Sequence, residues 1–211
     1  MKKSLINTKK YKLSANNFYD VETEKTQIVI GSTFSNGMNH FNGWQTRLNG
    51  KNKKTAHYSV DINGYIFEHF NPKYYSNFVN NDDLNRKIVS VVIENSGWLL
   101  KDVEKNEFID WKGNIYNGKV FEKKWRDFNY WIPYNDKQIE SLIILIKSIC
   151  NKIKNIPLEV ISHNTKIDLG VNNYKGVLYR SNFNGLHTDP NPSLGFEQIK
   201  NIIELKEIEN E

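Results

Sequence analysis

The pair Asn63-Gly64 lies between two runs of residues that favour β-strands, and it is the most restrictive local pattern in the chain. The first run covers residues 57–62 and the second covers residues 65–70. An Asn-Gly pair favours a tight turn because both central turn positions need positive φ, which these two residue types tolerate. The pattern therefore predicts a β-hairpin at residues 57–70.

Three further segments have the composition of buried strands. Residues 27–30 form a short apolar run closed by Gly31, and residues 87–94 are apolar on both faces until the final Glu94. Residues 158–163 form a third run that ends in a histidine. Short continuous apolar runs of this kind are consistent with strands that are covered on both faces.

Apolar residues recur at helical spacing in the second half of the chain. A long amphipathic helix is predicted from Asn135 onward, where Asn135 and Gln138 match a capping box and Pro157 ends the pattern. Cys150 lies on its apolar face. Shorter helices are predicted at residues 39–48 and near the C-terminus. Strands that alternate with helices after an initial hairpin favour an α/β fold, a single domain with a mixed central β-sheet flanked by α-helices.

The chain has 211 residues, a length that fits one large domain. Residues 1–26 are polar and are expected to form a peripheral N-terminal arm, while residues 27–211 form the main domain. Within that domain, residues 99–133 are rich in aromatic side chains and punctuated by glycines, so we expect an irregular insertion there.

Composition and charge narrow the class of protein. Hydrophobic residues make up 38% of the chain and charged residues 25%, which excludes collagen-like, low-complexity and strongly disordered chains. The single Cys150 excludes an internal disulfide and a cysteine-rich metal site. A formal charge of +5 suits an anionic partner such as a cell-wall polymer, nucleic acid or a membrane surface. Only the charge and scattered aromatic residues favour nucleic acid, so no nucleic acid partner is expected.

The apolar runs of the chain predict a soluble protein. Residues 1–10 begin with positive charge, but the apolar stretch of a secretory signal peptide does not follow them. The longest apolar run, residues 142–146, is far shorter than the roughly 20 residues of a membrane-spanning helix. We therefore expect cytoplasmic synthesis, without a signal peptide or a transmembrane segment.

Glu94, His163 and Asp189 stand at or beyond the ends of apolar segments, where sites in sheet-based folds commonly lie. Imidazole and carboxylate groups suit zinc, and a catalytic zinc keeps one coordination position open for water. On this interpretation His163 and Asp189 bind the metal and Glu94 acts as general base. Taken alone, each residue is better explained as a hydrogen-bonded structural residue.

The order of five short segments adds a further argument. These segments are residues 28–33, 55–64, 91–95, 161–163 and 188–192. In this order they resemble the type 2 N-acetylmuramoyl-L-alanine amidases, a family that includes phage amidase-type lysozymes and is related to the peptidoglycan recognition proteins. The resemblance spans about residues 27–200. It implies an amidase-like fold and a zinc ion that polarises the amide between the lactyl group of muramic acid and L-alanine, which a zinc-bound water attacks.

Carried over by position, the resemblance implies roles for four residues. His163 corresponds to the second zinc ligand and Asp189 to the third. Glu94 corresponds to the carboxylate near the metal that serves as base or orients the water. His57, in the Ala-His-Tyr segment of the hairpin, corresponds to a position with a structural or supporting role.

Three positions depart from the family pattern. Gly31, followed by Ser32, stands where active members have a zinc-binding histidine at the end of the first strand. His187 replaces the lysine that can stabilise the developing oxyanion, and Asp-Pro-Asn-Pro at residues 189–192 replaces Asp-Pro-Gly-Pro. A zinc site with two protein ligands is weak, so zinc binding requires a further donor, either His187 or His40.

The aromatic insertion and two arginines are candidate substrate-binding groups. Aromatic rings can stack on sugars and form one wall of a glycan groove, or they can pack the insertion onto the sheet. The rings considered are Trp111, Trp125, Tyr130 and Trp131. Arg180 and Arg126 can pair with carboxylates of a stem peptide, or they can be ordinary surface residues.

The sequence therefore predicts a peptidoglycan-directed amidase that hydrolyses the bond between N-acetylmuramic acid and L-alanine. Peptidoglycan or a muropeptide is the expected partner, and zinc is the cofactor that the resemblance implies. Two alternatives stay open: a catalytically inactive, amidase-like protein that binds peptidoglycan, and a structural component of a phage particle. The missing signal peptide fits a lytic enzyme that acts on a host cell, and it also fits a virion-associated protein.

Overall fold

A computed structural model describes residues 6–161, 165–167, 170–195 and 197–200. Its strands are β1 (Ile6–Asn7), β2 (Gln27–Ser32), β3 (Tyr58–Val60), β4 (Ile66–Glu68), β5 (Ile88–Ile93), β6 (Trp98–Asp102), β7 (Glu107–Asp110), β8 (Ile115–Tyr116), β9 (Phe121–Trp125), β10 (Phe128–Trp131) and β11 (Gly176–Tyr179). Its helices include α1 (Asn39–Thr46), α2 (Asp82–Lys87) and α3 (Asp136–Lys152), with 3-10 turns at Ala15–Asn17, Arg47–Gly50 and Arg180–Asn182.

A mixed sheet occupies the centre of the molecule, with its described strands in the order β1-β4-β3-β5-β2-β11. Strands β3, β5, β2 and β11 run parallel to one another, whereas β4 runs antiparallel to β3. Buried residues of α3 share one hydrophobic core with β2 and β5. The predicted α/β domain with a mixed central sheet and flanking helices is confirmed.

Strands β2 and β5 lie in the interior of the central sheet. Every residue of both strands is buried, which explains their continuous apolar runs. Their register pairs Gln27 with Ile88 and Ser32 with Ile93. The two strands therefore end side by side at the same edge of the sheet.

The predicted hairpin is formed by β3 and β4, but its turn differs from the expected one. The strands pair antiparallel and residues 61–65 connect them. Gly64 has a φ of +83°, whereas Asn63 is not among the residues with positive φ. The Asp61 carboxylate accepts hydrogen bonds from the backbone N–H groups of Asn63 and Tyr65. This side chain organises a longer turn than the Asn-Gly pair alone would favour.

Helix α3 begins with the predicted capping box. The Asn135 side chain accepts a hydrogen bond from the backbone N–H of Gln138, and the Gln138 side chain accepts one from the backbone N–H of Asn135. Gln138 Nε2 also donates to the carbonyl oxygen of Glu94 at 2.7 Å. The start of α3 is thereby tied to the end of β5. Cys150, later in α3, packs against the core, and burial raises the pKa of its thiol to about 11.

Irregular structure was expected at residues 99–133, and this expectation was wrong. They belong to a second, antiparallel sheet with its described strands in the order β8-β7-β6-β10-β9. Trp98 stacks on Phe128 with ring centroids 4.3 Å apart, and Trp131 is fully buried. Aromatic packing stabilises these short strands, which lack the regular apolar and polar alternation that would have revealed them.

Strand β11 lies beside β2, and the sequence analysis did not predict it. Val160, in the segment expected to form the last strand, pairs with Val177 of β11 through an isolated bridge. Gly176 permits this close pairing, because a Cβ atom there would lie 2.5 Å from the carbonyl oxygen of Glu159. Strand β11 therefore separates the segment around Val160 from β2.

Part of the N-terminal arm packs on the central domain. Strand β1 pairs with β4, and Leu13 and Phe18 join a small apolar cluster with Phe41 and Phe70. The helices that the structure describes are all too short or too polar to cross a bilayer.

Candidate functional site

The carboxyl ends of β2, β5 and β11 meet at one edge of the central sheet because these strands are parallel. Strand β2 ends at Ser32, Glu94 follows β5, and Arg180 follows β11. Gly31 pairs with Val92, and the register of β11 continues to bring Arg180 to the level of Gly31. Ligand sites of open α/β sheets commonly lie at such an edge.

Asp189 lies directly over Gly31, the position at which the family resemblance places a zinc-binding histidine. A Cβ atom at Gly31 would lie 2.6 Å from Asp189 Oδ2, 3.0 Å from Phe78 Cζ and 3.3 Å from Arg180 Cδ. These groups fill the space that a side chain at position 31 would need. Close packing, and not an unusual backbone angle, therefore requires glycine here.

The Asp189 carboxylate is buried and accepts hydrogen bonds from a backbone N–H group and from an arginine. Its Oδ2 atom accepts from the backbone N–H of Ser32 at 2.9 Å and from Arg180 Nη1 at 3.3 Å. Arg180 Nε donates to the carbonyl oxygen of Phe78 at 3.1 Å, which fixes the guanidinium group. The negative charge of Asp189 therefore faces a positioned arginine.

His187 lies close to this ion pair without joining it. Its Nδ1 atom is 3.9 Å from Asp189 Oδ1, which is too far for a hydrogen bond. Burial, reinforced by the charge of Arg180, lowers the pKa of His187 to about 4. The imidazole is therefore neutral at pH 7, and its buried Nε2 atom has no hydrogen-bond partner among the described residues.

Arg126 holds the loop that carries His187. Its guanidinium group donates hydrogen bonds to the carbonyl oxygens of Ser181, Asn184, Gly185 and His187. Because Arg126 follows β9 of the second sheet, these bonds fasten that sheet to the central domain. Its donors are directed at the protein's own backbone.

Glu94 is buried, and both of its carboxylate oxygens accept backbone hydrogen bonds. Oε1 accepts from the N–H of Gly37, and Oε2 accepts from the N–H of Ile62 at 3.1 Å. These bonds connect the segment after β2 and the turn after β3 to the end of β5. In this arrangement the carboxylate organises the loops around the sheet edge.

Tyr134 and Asn191 complete this edge, and sequence reasoning missed both. The hydroxyl groups of Ser32 and Tyr134 share a short hydrogen bond, and Tyr134 Oη accepts from the N–H of Asn191 at 3.4 Å. Burial raises the pKa of Tyr134, so its hydroxyl is protonated at neutral pH. Asn191 Nδ2 donates to the carbonyl oxygen of Ile132 at 2.8 Å. The Asp-Pro-Asn-Pro segment was the sequence signal for Asn191, and no local pattern pointed to Tyr134.

His57 and His69 are buried structural residues of the hairpin. His57 Nε2 donates to the carbonyl oxygen of Tyr74 at 3.1 Å, and His69 Nδ1 donates to that of Tyr11 at 2.7 Å. Burial lowers the pKa of His57 well below its ordinary value and that of His69 to about 3. Both rings are therefore neutral at pH 7. The position of His57 agrees with the structural role that the resemblance implied.

The two other histidines considered as metal ligands differ in what the structure shows. His163 lies outside the described residues. His40 packs edge-on against Trp44, with ring centroids 4.9 Å apart. Burial lowers the pKa of His40 to about 4, against a smaller opposing contribution from the backbone of Gly37. Neither ring nitrogen forms a hydrogen bond of normal geometry within the described part of the chain.

The described residues do not fit a zinc ion. Zinc needs three or four nitrogen, sulfur or oxygen donors at about 2.0–2.3 Å. Residues 6–161, 165–167, 170–195 and 197–200 contain no group of three His, Cys, Asp or Glu side chains that could hold a metal. Gly31 supplies no donor, and Asp189 Oδ2 is already bound to the Arg180 guanidinium, whose charge repels a second cation.

Two clefts border the sheet edge. The larger, of about 740 Å³, includes Glu94, Asp110 and Tyr116 in its lining. The smaller, of about 450 Å³, is named the basic cleft here for its charged lining residues, Arg47, Lys54, Lys112 and Arg180. The turn after β7 separates the two clefts, because Asp110 lines the larger one whereas Trp111 and Lys112 line the basic cleft.

The four candidate sugar-stacking rings have different surroundings. Trp125 and Trp131 are buried, and their indole N–H groups donate to backbone carbonyl oxygens. Tyr130 is half-buried and packs edge-on against Phe108. Trp111 is 44% exposed and lines the basic cleft. Among these four rings, Trp111 is the one placed to contact a ligand in that cleft.

A comparison with protein-family models gives a match to the model described as N-acetylmuramoyl-L-alanine amidase (Amidase_2), over residues 22–191. The chain belongs to this amidase family. The match confirms the resemblance inferred from the short segments, and it spans Gly31, Glu94 and Asp189. A search of curated protein sequences finds no match.

Solved amidase structures share the fold of this amidase-family protein. The N-acetylmuramoyl-L-alanine amidase LysC from Clostridium intestinale URNW is 15% identical, with a TM-score of 0.51 and coverage of 94% of this chain and 97% of that chain. A mutant of PlyL is 14% identical, with a TM-score of 0.54 and coverage of 94% and 96%. AmpDh3 from Pseudomonas aeruginosa in complex with anhydromuramic pentapeptide is 14% identical, with a TM-score of 0.53 and coverage of 87% and 61%. At these identities the likeness establishes the fold.

Proposed function

We propose that this amidase-family protein binds the muramoyl-peptide part of peptidoglycan at the carboxyl edge of its central sheet, and that it does so without metal-dependent hydrolysis. The family match over residues 22–191 supports peptidoglycan as the target. The clefts on either side of the edge offer space for a ligand. The formal charge of +5 suits the carboxylates of a stem peptide.

The ion pair between Asp189 and Arg180 beside Gly31 is the observation that carries this proposal. The family resemblance implies a zinc-binding histidine at position 31 and a zinc-binding carboxylate at position 189. Here position 31 has no side chain, and the carboxylate is bound to an internal cation. A cation fixed beside a carboxylate repels a metal ion and so weakens metal binding by that carboxylate.

Zinc-dependent hydrolysis of the amide between N-acetylmuramic acid and L-alanine is the second candidate function. The family match favours it, together with the presence of Glu94, His187 and Asp189 in one chain. Under this candidate His163 and Asp189 would be zinc ligands and His187 a third donor or an oxyanion-stabilising group. Glu94 would be the residue that accepts the proton. This candidate requires that Asp189 either bind zinc through Oδ1 or leave its pairing with Arg180, which uses Oδ2.

One experiment separates the two candidate functions. Binding of a purified disaccharide-peptide to the protein is measured by calorimetry, once in EDTA and once with added zinc, and the products are analysed by mass spectrometry. Bound zinc is measured by elemental analysis. We expect equal affinity in both conditions, no stoichiometric zinc, and a ligand that is recovered intact.

Two results would contradict the proposal. About one zinc per chain, lost in both His163→Ala and Asp189→Ala, together with cleavage of the muropeptide, would establish the amidase instead. Absence of both binding and cleavage would exclude a function directed at this part of peptidoglycan.

A further inference from the structure

We infer that the turn after α1 docks the protein on an anionic lipid surface and inserts Leu48 beneath the lipid headgroups. This turn covers residues 47–51 and is named the left-handed turn here for its backbone conformation. The inference goes beyond the proposed function, because Leu48 and Lys51 line neither of the two clefts at the sheet edge.

The left-handed turn has an unusual backbone. Leu48, Asn49 and Gly50 have φ values of +53°, +54° and +78°. The backbone N–H of Lys51 donates to the carbonyl oxygen of Leu48 at 3.1 Å and closes the turn. Asparagine and glycine tolerate this conformation, whereas leucine is disfavoured because its Cβ atom crowds the following carbonyl oxygen. Leu48 therefore lowers the stability of the fold through its backbone.

The Leu48 side chain gains no packing that would offset this strain. It is 73% exposed, and it belongs to neither of the apolar clusters that the described residues form. Strained residues of this kind are concentrated at functional sites. Burial of the exposed leucine in an apolar phase would offset the strain, because it removes apolar surface from water.

The N-terminal arm holds the left-handed turn in place. Asn17 of the arm is buried, and its side-chain amide donates to the carbonyl oxygens of Trp44, Gly50 and Asn52 at 3.1–3.2 Å. These carbonyl groups lie on both sides of the turn. The turn is therefore already ordered in the free protein, so docking of Leu48 costs little conformational entropy.

The charge around the left-handed turn fits an anionic surface. Residues 25–60 contain five Lys and Arg residues and no Asp or Glu, while the rest of the chain has 24 basic and 24 acidic residues. The whole formal charge of +5 therefore belongs to this segment. Arg47 and Lys51, on either side of Leu48, are exposed and form no ion pair among the described residues.

An apolar side chain between two cations matches the layers of a membrane interface. Anionic headgroups attract the cations, and the acyl chains beneath them accept the leucine side chain. A hydrated polyanion, such as a phosphate polymer of the cell wall, attracts cations but offers no apolar layer. The exposed Leu48 therefore favours an anionic lipid surface over a soluble polyanion.

The test measures binding of the full-length protein to lipid vesicles by co-sedimentation. One set of vesicles contains phosphatidylglycerol and phosphatidylcholine in equal parts, and the other contains phosphatidylcholine alone. The variants are Leu48→Asn and Lys51→Gln. The matched controls, Leu186→Asn and Lys105→Gln, make the same changes at exposed positions outside the left-handed turn. Urea denaturation of every protein and calorimetry with polyglycerol phosphate complete the measurements.

We expect the wild type to bind the phosphatidylglycerol vesicles far more tightly than those of phosphatidylcholine alone. Leu48→Asn should weaken this binding about tenfold and Lys51→Gln about fivefold, whereas each control should stay within about twofold of the wild type. Leu48→Asn should also raise the urea midpoint, because asparagine tolerates the left-handed conformation. A leucine with a merely structural role would give the opposite shift of the midpoint.

Three results would overturn the inference. The first is absent or equal binding to the two kinds of vesicle, or an equal loss of binding in the variants and their controls. The second is a lowered urea midpoint in Leu48→Asn, which would show that Leu48 stabilises the fold. The third is binding of polyglycerol phosphate that is tighter than vesicle binding and survives Leu48→Asn, which would assign the cations to a soluble polyanion. None of these results bears on muropeptide binding, so the proposed function is tested separately.

Discussion

Asp189 Oδ2 lies 2.6 Å from the point that a Cβ atom on Gly31 would occupy, so the two residues depend on each other's size. The carboxylate cannot move away easily, because the N–H of Ser32 and the guanidinium of Arg180 hold it. A metal-binding side chain at position 31 and the present position of Asp189 are therefore sterically incompatible.

Gly31→Ala should lower the free energy of unfolding by about 1–3 kcal/mol, because overpacking a tight site forces its neighbours to shift. Gly43→Ala is the matched control, since the atoms nearest to a Cβ atom there belong to the Arg47 side chain, at 3.6 Å or more. Gly43 lies in α1, where alanine is favoured over glycine by up to about 1 kcal/mol. Urea denaturation of both variants measures the difference. Equal stability of the two variants would show that position 31 has room.

Replacement of Arg180 by methionine should destabilise the protein by about 1–3 kcal/mol, because it leaves a buried carboxylate without its cation. We expect a smaller loss of stability than for a fully buried ion pair, because the Arg180 side chain is 25% exposed. Asp189→Asn should lower the free energy of unfolding by less in the Arg180→Met variant than in the wild type. A double-mutant cycle by chemical denaturation measures this coupling. Additive effects of the two changes would argue against the ion pair.

Glu94→Gln should lower the free energy of unfolding by about 1–3 kcal/mol. The two carboxylate oxygens now accept hydrogen bonds from two backbone N–H groups. In the variant the amide NH₂ group would face one of these donors, which would lose its acceptor. Amide hydrogen exchange at Gly37 and Ile62 should become faster. Glu104→Gln, at an exposed position, is the control and should change neither property. Unchanged stability and exchange in Glu94→Gln would mean that the carboxylate is not a structural acceptor.

Acidification should destabilise the protein below about pH 6.5, because His40, His57 and His69 are buried as neutral rings. Their pKa values are lower in the folded than in the unfolded state, so the unfolded state takes up more protons as the pH falls. The contribution of these neutral histidines to stability is complete above the pKa of histidine in the unfolded chain. As the pH falls below that value, each histidine loses about 1.4 kcal/mol of this contribution per pH unit. Urea denaturation at pH 7.5 and 5.5 measures the change. Equal stability at these two pH values would contradict the neutral assignment.

Trp111→Ala should weaken binding of a disaccharide-peptide several-fold and leave binding of the bare peptide unchanged. The reason is that the exposed indole ring at the basic cleft is available for stacking on a sugar. Tyr65→Ala removes another exposed aromatic ring, one that lines neither cleft, and serves as control. Calorimetry with both ligands measures the effect. An equal loss of affinity for both ligands would place the ring at the peptide.

Several elements of the fold followed from local sequence. The hairpin around Asn63-Gly64, the buried strands that end at Ser32 and Ile93, and the capping box at Asn135 were all predictable. The hairpin and the capping box depend on interactions between residues that are close in sequence. The two buried strands could be recognised because a strand that is covered on both faces is apolar along its whole length. The second sheet was not predictable, because its short strands are stabilised by aromatic contacts between strands and not by a regular period.

For the candidate site, the order of residues along the chain was enough to indicate the family resemblance, the glycine at position 31, and the candidates Glu94, His187 and Asp189. The contacts that these residues make depend on the fold. The Arg180 guanidinium reaches Asp189 because β11, unforeseen from the sequence, pairs with β2 and brings its end to Gly31. Such contacts are set by the order and register of strands that are distant in the chain, and local pattern does not encode them.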